Sequence, residues 1–188
     1  GIAITTTAGT DTVTVAASGI STAEIAAGGT FTLATEQAST SGTAIDFTGI
    51  PSGTKIIVIM LEGVSTNGTS DLLVQVGDSG GIETAGYTGA WGSADASGAG
   101  AQQFATSSFL IVDSVTAAGN YSAFIILTLK DSTNNTWVMQ SVFARNDAAF
   151  GGFSNGVKAS LDTVLTQVRI TSTTPDTFDA GSINIMYK

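Results

Sequence analysis

The sequence predicts an all-β protein: an antiparallel β-sandwich, jelly-roll-like, with an extended N-terminal arm. Three observations point there. Apolar stretches are short and rich in β-branched residues, such as IIVIML at Ile56–Leu61. Several alternate with period two, the spacing that puts one face of a strand in a core. Turn signals such as Asn67-Gly68, Gly119-Asn120 and DSTNNT at Asp131–Thr136 separate them at sandwich-like intervals.

The arm comes first. Residues 1–40 hold short β-like pieces, Ile2 and Ile4, then Val13 and Val15, with a possible helical turn at Ser21–Ala27. There Ser21 stands three residues before Glu24, the spacing of a capping box. A second extended piece spans Thr30–Thr35. The apolar side chains are too small and sparse to make a core. The segment therefore reads as an arm or stem packed on a larger body or a neighbouring subunit, and Ile2, Ile4, Val13 and Val15 are its candidate assembly residues. QASTSGT at Gln37–Thr43 is the connector to a module over residues 41–188.

In that module, Ile50-Pro51-Ser52-Gly53 predicts a type I turn, with Pro presetting φ and Gly fourth. It feeds a strand at Lys55–Glu62. Asn67-Gly68 then predicts reversal into a second strand, Asp71–Gly77, so that the two form a central hairpin. Ile82–Gln103 is Gly-rich and carries Tyr87 and Trp91; it predicts a long loop. Phe104–Val112 resumes strand composition. Tyr121–Lys130, with Ala123, Ile125, Leu127 and Leu129 on one face, and Trp137–Ala144 predict a second hairpin. Arg145–Gly156 reads as another Gly/aromatic loop, with Phe150 and Phe153, before a short strand at Val157–Leu161. Val164–Thr171 alternates with Val164, Val168 and Ile170 inward and Leu165 outward. After Thr174-Pro175-Asp176, Ser182–Tyr187 closes the chain.

Composition narrows the function. The 188 residues include no cysteine and no histidine, which removes disulfides, thiol chemistry and the commonest general base and metal ligand. A net charge of −9 leaves no basic stripe for nucleic acid and disfavours anionic membranes. No apolar run approaches the ~20 residues of a membrane helix. The chain is 43% hydrophobic, so it folds, yet only 11% charged. Such a surface of hydroxyls and methyls suits burial in an assembly. Gly1 in first place is what removal of an initiator Met, or of a longer leader, is expected to leave.

Gly77-Asp78-Ser79-Gly80-Gly81 copies the pentapeptide around a serine-protease nucleophile, but no imidazole exists to take the serine proton, so a turn after Val76 is expected. Asp71, Asp78, Glu83 and Asp95 would support glycoside cleavage only if two met across a cleft. Their Gly, Ser and Thr neighbours favour turn roles. Asp131 with Asn134 and Asn135 lacks the glycine and terminal Glu of a helical-hand calcium loop and reads as an Asx-turn. Asn67, Asn120 and Asn134 begin N-glycosylation-type triplets that arise readily in Asn/Thr-rich turns. Tyr87, Trp91, Phe150 and Phe153 on Gly-rich loops have two readings: contacts for a receptor or subunit interface, or rings folded back and buried. No catalytic residue, cofactor or metal ligand is expected.

The phrases DFTGIPSGTK, GVSTNGTSDLLVQVGDSGGIETAGYTG, LTQVRIT and DTFDAGSINIMYK, in that order over Phe47–Lys188, resemble the C-terminal module of tailed-bacteriophage tail-fibre and related virion appendage proteins. The arm is not covered. The resemblance implies an extracellular, all-β virion component, commonly a homotrimer, that contacts host surface glycan or decorates the particle alongside other virion proteins. The family carries no catalytic residues to transfer. Trimerisation would bury the second apolar face of strands such as Ile56–Leu61. Other expectations remain: a capsid decoration or cement protein with its arm across neighbours, a filament subunit whose Gly1–Val15 segment adds a strand to the next copy, or a carboxylate glycan hydrolase.

Overall fold

A computed structural model describes residues 2–6, 13–17, 30–174 and 176–188. The chain divides into two units, Gly1–Phe31 with Lys188, and Thr32–Tyr187. In the first, β1 (Ile2–Thr6) and β2 (Val13–Ala17) pair antiparallel, with Ile4 opposite Val15. The helical turn expected at Ser21–Ala27 lies outside the described residues.

The second unit begins with β3 (Thr32–Leu33), β4 (Gln37–Ala38), β5 (Ala44–Thr48), β6 (Ile56–Thr66) and β7 (Leu72–Asp78). Then follow β8 (Gly81–Ile82), β9 (Tyr87–Asp95), β10 (Gly100–Ala105), β11 (Phe109–Val112) and β12 (Tyr121–Asp131). The last are β13 (Thr136–Arg145), β14 (Phe150–Lys158), β15 (Gln167–Ser172) and β16 (Phe178–Tyr187). No helix occurs among the described residues.

Two antiparallel sheets make a sandwich. The nine-stranded sheet runs β10-β9-β14-β13-β12-β6-β16-β3, with β4 also on β16, and the five-stranded sheet runs β11-β7-β15-β5, with β8 on β7. This order is a jelly roll. Label the eight strands β5, β6, β7, β9, β10, β11, β14 and β15 in chain order as B to I. The small sheet then reads B-I-D-G and the large one C-H-E-F, the two four-strand orders of that fold. The hairpin β12–β13 is wedged between the C and H strands, and β16 is added outside C.

The core lies between the sheets. On β13 burial alternates residue by residue, with Trp137, Met139, Ser141 and Phe143 inside and Val138, Gln140 and Val142 outside. Ile57 and Ile59 of β6, Ile125 and Leu127 of β12, and Ile183 of β16 meet Val74 and Val76 of β7 and Val168 and Ile170 of β15. β7 is buried along its whole length, as expected of a strand between two neighbours whose outer face is also covered. There the Arg169 guanidinium spans to Asp46 through two bonds of 2.7 Å, while the Gln75 amide donates to the Ser107 carbonyl at 3.2 Å.

Several expectations are corrected. β6 and β7 are not a hairpin: they lie in different sheets. The Asn67-Gly68 reversal is held by the far corner of the chain. Asn67 N–H donates to the Thr177 carbonyl and Thr177 N–H to Asn67 Oδ1, both at 2.9 Å, while Ser70 N–H donates to Asp176 Oδ2 at 2.9 Å. The strand thus arches from one layer to the other instead of doubling back. The proline turn is displaced by one residue. Thr54 N–H donates to the Pro51 carbonyl at 3.3 Å and Gly53 takes φ +94°, so glycine fills the third place, as a type II turn requires.

The two Gly-rich stretches are strands β9, β10 and β14. β15 starts at Gln167, so the alternation does not reach back: Leu165 is buried and Val164 exposed, the reverse of expectation. Finally, β3 and β4 hydrogen-bond to β16, so residues 32–40 belong to the sandwich and not to the arm. The hairpin β12–β13 forms as predicted, closing over an Asn135 at φ +49°.

Candidate functional site

The four aromatics expected on loops sit on strands. Tyr87 and Trp91 occupy inward positions of β9 and are buried. Trp91 stacks on Phe143 with centroids 6.0 Å apart and 12° between planes, and Phe150, half-buried at the start of β14, lies 5.7 Å from Phe143. Tyr87 meets Phe109 edge-on at 4.9 Å, with Lys158 Nζ 5.6 Å from its ring centre. These three are core residues. Only Phe153 faces outward, 58% exposed.

The glycines that suggested loops are spacers that let these rings lie over neighbouring strands. A β-carbon on Gly152 would meet the Gly92 carbonyl oxygen at 2.2 Å and the Phe143 ring at 2.7 Å; one on Gly92 would meet the Phe153 ring at 3.3 Å. An aromatic laid across a cross-strand glycine restores the contact area that the glycine lacks.

The acids are dispersed into turns. Asp71 accepts from Ser114 N–H at 2.9 Å, and Asp95 from Ser97 N–H and Ala99 N–H at 2.8 and 3.1 Å. Glu83 faces Lys158 at 3.8 Å. Asp78 closes the GDSGG turn, accepting from Gly80 N–H at 2.7 Å and Thr163 N–H at 2.8 Å. Burial pushes this carboxyl up, but those donors outweigh it and hold it below its ordinary value. Asp131 accepts from Thr133 N–H and the Asn134 amide, the Asx-turn expected. Among the described residues no group of three potential ligands could hold a metal.

The surface feature that stands out was not singled out from sequence. The outer face of the large sheet carries three consecutive cross-strand rows from β6 to β9. They are Met60–Phe124–Val142–Phe153–Gly92, Val58–Ile126–Gln140–Asn155–Ala90 and Ile56–Thr128–Val138–Val157–Thr88. None holds a charge. Phe124, Val142 and Val138 are 44%, 53% and 37% exposed. At ordinary strand and residue spacings the rows span about 500 Å² of sheet, within which Val58 and Gly92 are buried. At the β9 end, Phe153, Asn155 and Gln102 wall a groove of about 450 Å³ floored by Ala90 and Gly92. The signal available in the sequence was the apolar side chains Phe124, Val138 and Val142 at the outward places of strands whose inward places were already apolar.

This is an all-β sandwich of jelly-roll topology with an uncharged, apolar sheet face. No family model, curated protein or solved structure matches the chain.

Proposed function

We propose that the chain is a non-enzymatic structural protein of a bacteriophage virion, a tail-fibre or other appendage module that assembles with copies of itself and touches host-surface glycan. The observation that carries the reading is the uncharged outer face of the large sheet. In a protein with a net charge of −9, a charge-free sheet face that exposes Phe124, Val138, Val142 and Phe153 suits cover by another copy. The order of the sequence phrases shared with appendage modules supports the virion setting, outside the cell. The acids, held by backbone N–H donors or by Arg and Lys partners, favour a scaffold over a hydrolase. Phe153, with the Asn155 and Gln102 amides across its groove, supports sugar contact, since a ring face and amides together suit a polyhydroxyl ligand.

The test is light scattering of the purified protein, with envelope polysaccharides assayed for binding and for released sugar. A multimer at micromolar concentration that binds polysaccharide and releases nothing is expected. A stable monomer, or one that liberates sugar, overturns the reading. Copies per particle, a few to tens or else hundreds, separate a fibre from a capsid decoration.

A further inference from the structure

A sheet edge offers unpaired backbone groups to any passing strand, and proteins blunt edges by shortening, charging or bulging them. Among the described residues of the sandwich, three of the four sheet edges are blunted. The β3/β4 edge is split into two pieces of two residues each. The β5 edge carries Asp46, ion-paired to Arg169. The β11 edge is four residues long and its register breaks between Leu110 and Val112.

β10 has none of these devices. Its ladder to β9 is unbroken from Gly100 opposite Ala94 to Ala105 opposite Gly89. Its sequence GAQQFA holds no charge and no proline, and Phe104 is 82% exposed. The backbone direction follows from the adjoining turn, where Asp95 N–H donates to the Ala99 carbonyl at 3.0 Å. Antiparallel pairs alternate, so Ala101 and Gln103 turn their N–H and C=O groups to β9, and those of Gly100, Gln102 and Phe104 point away. Among the described residues nothing bonds these outward groups.

We infer that β10 pairs antiparallel with β10 of a second copy, about a two-fold axis at Gln102, joining two large sheets into one. The strand is complementary to itself. With Gln102 opposite Gln102 of the second copy, Phe104 falls opposite Gly100 of that copy on the same face, and the three outward residues of each strand exchange about six backbone bonds. The chain already uses that pairing internally, where Phe153 lies across Gly92 one strand away. Lack of charge decides the occupant. In a chain of net charge −9, two copies approach most cheaply where no like charges face each other across the axis. The inference goes beyond the virion reading and stands or falls separately from it.

Gln102→Cys tests it directly, since the chain has no other cysteine. Directly opposed hydrogen-bonded residues have Cα atoms about 5.5 Å apart, within disulfide reach. Mild oxidation is expected to give a covalent dimer on a non-reducing gel, with Gln103→Cys giving little. Gln102→Pro removes only an outward N–H, which an edge strand tolerates. It is expected to halve the mass seen by light scattering while the circular dichroism and thermal transition stay as in the parent. A mass unchanged by Gln102→Pro, or cross-linking at position 103 in place of 102, overturns the inference. Assembly solely through the outer face gives the first of those results.

Discussion

Tyr87 and Val76 tie the two sheets together: the Val76 N–H of β7 donates to Tyr87 Oη of β9 at 2.9 Å, and that hydroxyl donates in turn to the Glu83 carbonyl at 3.1 Å. All of this is sealed under the Phe109 ring. Tyr87→Phe leaves a buried donor and a carbonyl without their partner, so a loss of about 1–3 kcal/mol is expected in chemical denaturation. Burial, with help from the Glu83 charge, pushes the phenol pKa well up against the opposing Val76 N–H. Because the folded value is raised, its contribution is fully present below the unfolded pKa and is lost as pH rises past it. In an alkaline titration followed by ultraviolet absorbance, Tyr87 stays silent until the protein unfolds, and Tyr87→Phe leaves the folded-state titration unchanged.

Gly152→Ala is expected to destabilise by about 1–3 kcal/mol or more, the scale of overpacking. In a strand the same change ordinarily stabilises by roughly 0.5–1 kcal/mol through the unfolded chain. The Gly92 carbonyl, 2.2 Å from the new methyl, reverses the sign because backbone cannot step aside. Urea midpoints of the two proteins check it, and a gain in stability would contradict the spacer role.

Arg145 grips Asp147 through Nε and Nη2 at 2.7 and 2.8 Å. Those bonds hold the Asp147 carboxyl down from 3.8 to about 2. A depressed folded value gives stability that is complete above 3.8 and disappears as pH falls through about 2. Asp147→Asn is therefore expected to lower the unfolding midpoint at neutral pH by a margin that shrinks to nothing toward pH 2. A margin independent of pH would show that the carboxylate charge is not what matters.

Phe124→Ser with Val142→Thr makes the middle of the outer face polar without touching the core. Both positions are exposed, so the thermal midpoint is expected to move little. The assembly measured by light scattering is expected to become smaller or weaker. An unchanged mass would remove the face from the assembly.

The sheet layers were legible where a strand has one wet face. β13 shows its buried side at every second residue, and the β12–β13 hairpin follows from DSTNNT. Legibility fails where glycine replaces side chains. β9 and β14 look like loops because Gly89, Gly92, Gly152 and Gly156 hide the alternation, and what they make room for lies on other strands. The position of Asn67-Gly68 was readable as a reversal, but its partner is Thr177, so the sequence around it gave no sign that the chain changes layer there. Of the two readings open for the loop aromatics, Tyr87, Trp91 and Phe150 take the buried one and Phe153 alone faces outward. Phe124 and Val142 went unnoticed because an apolar residue on the outward side of a strand carries meaning only once its neighbours on three other strands are known.

Among the described residues β5 pairs with β15 alone, and β6 takes β16 on one side, as in Ile45 opposite Ile170 and Ile59 opposite Ile185. While the ribosome is still adding residue 165, neither strand has that companion, and both layers are incomplete. IIVIML therefore has its β12 partner early but waits for its β16 partner until residues 178–187 have been made, and pairing over so long a stretch of chain slows folding.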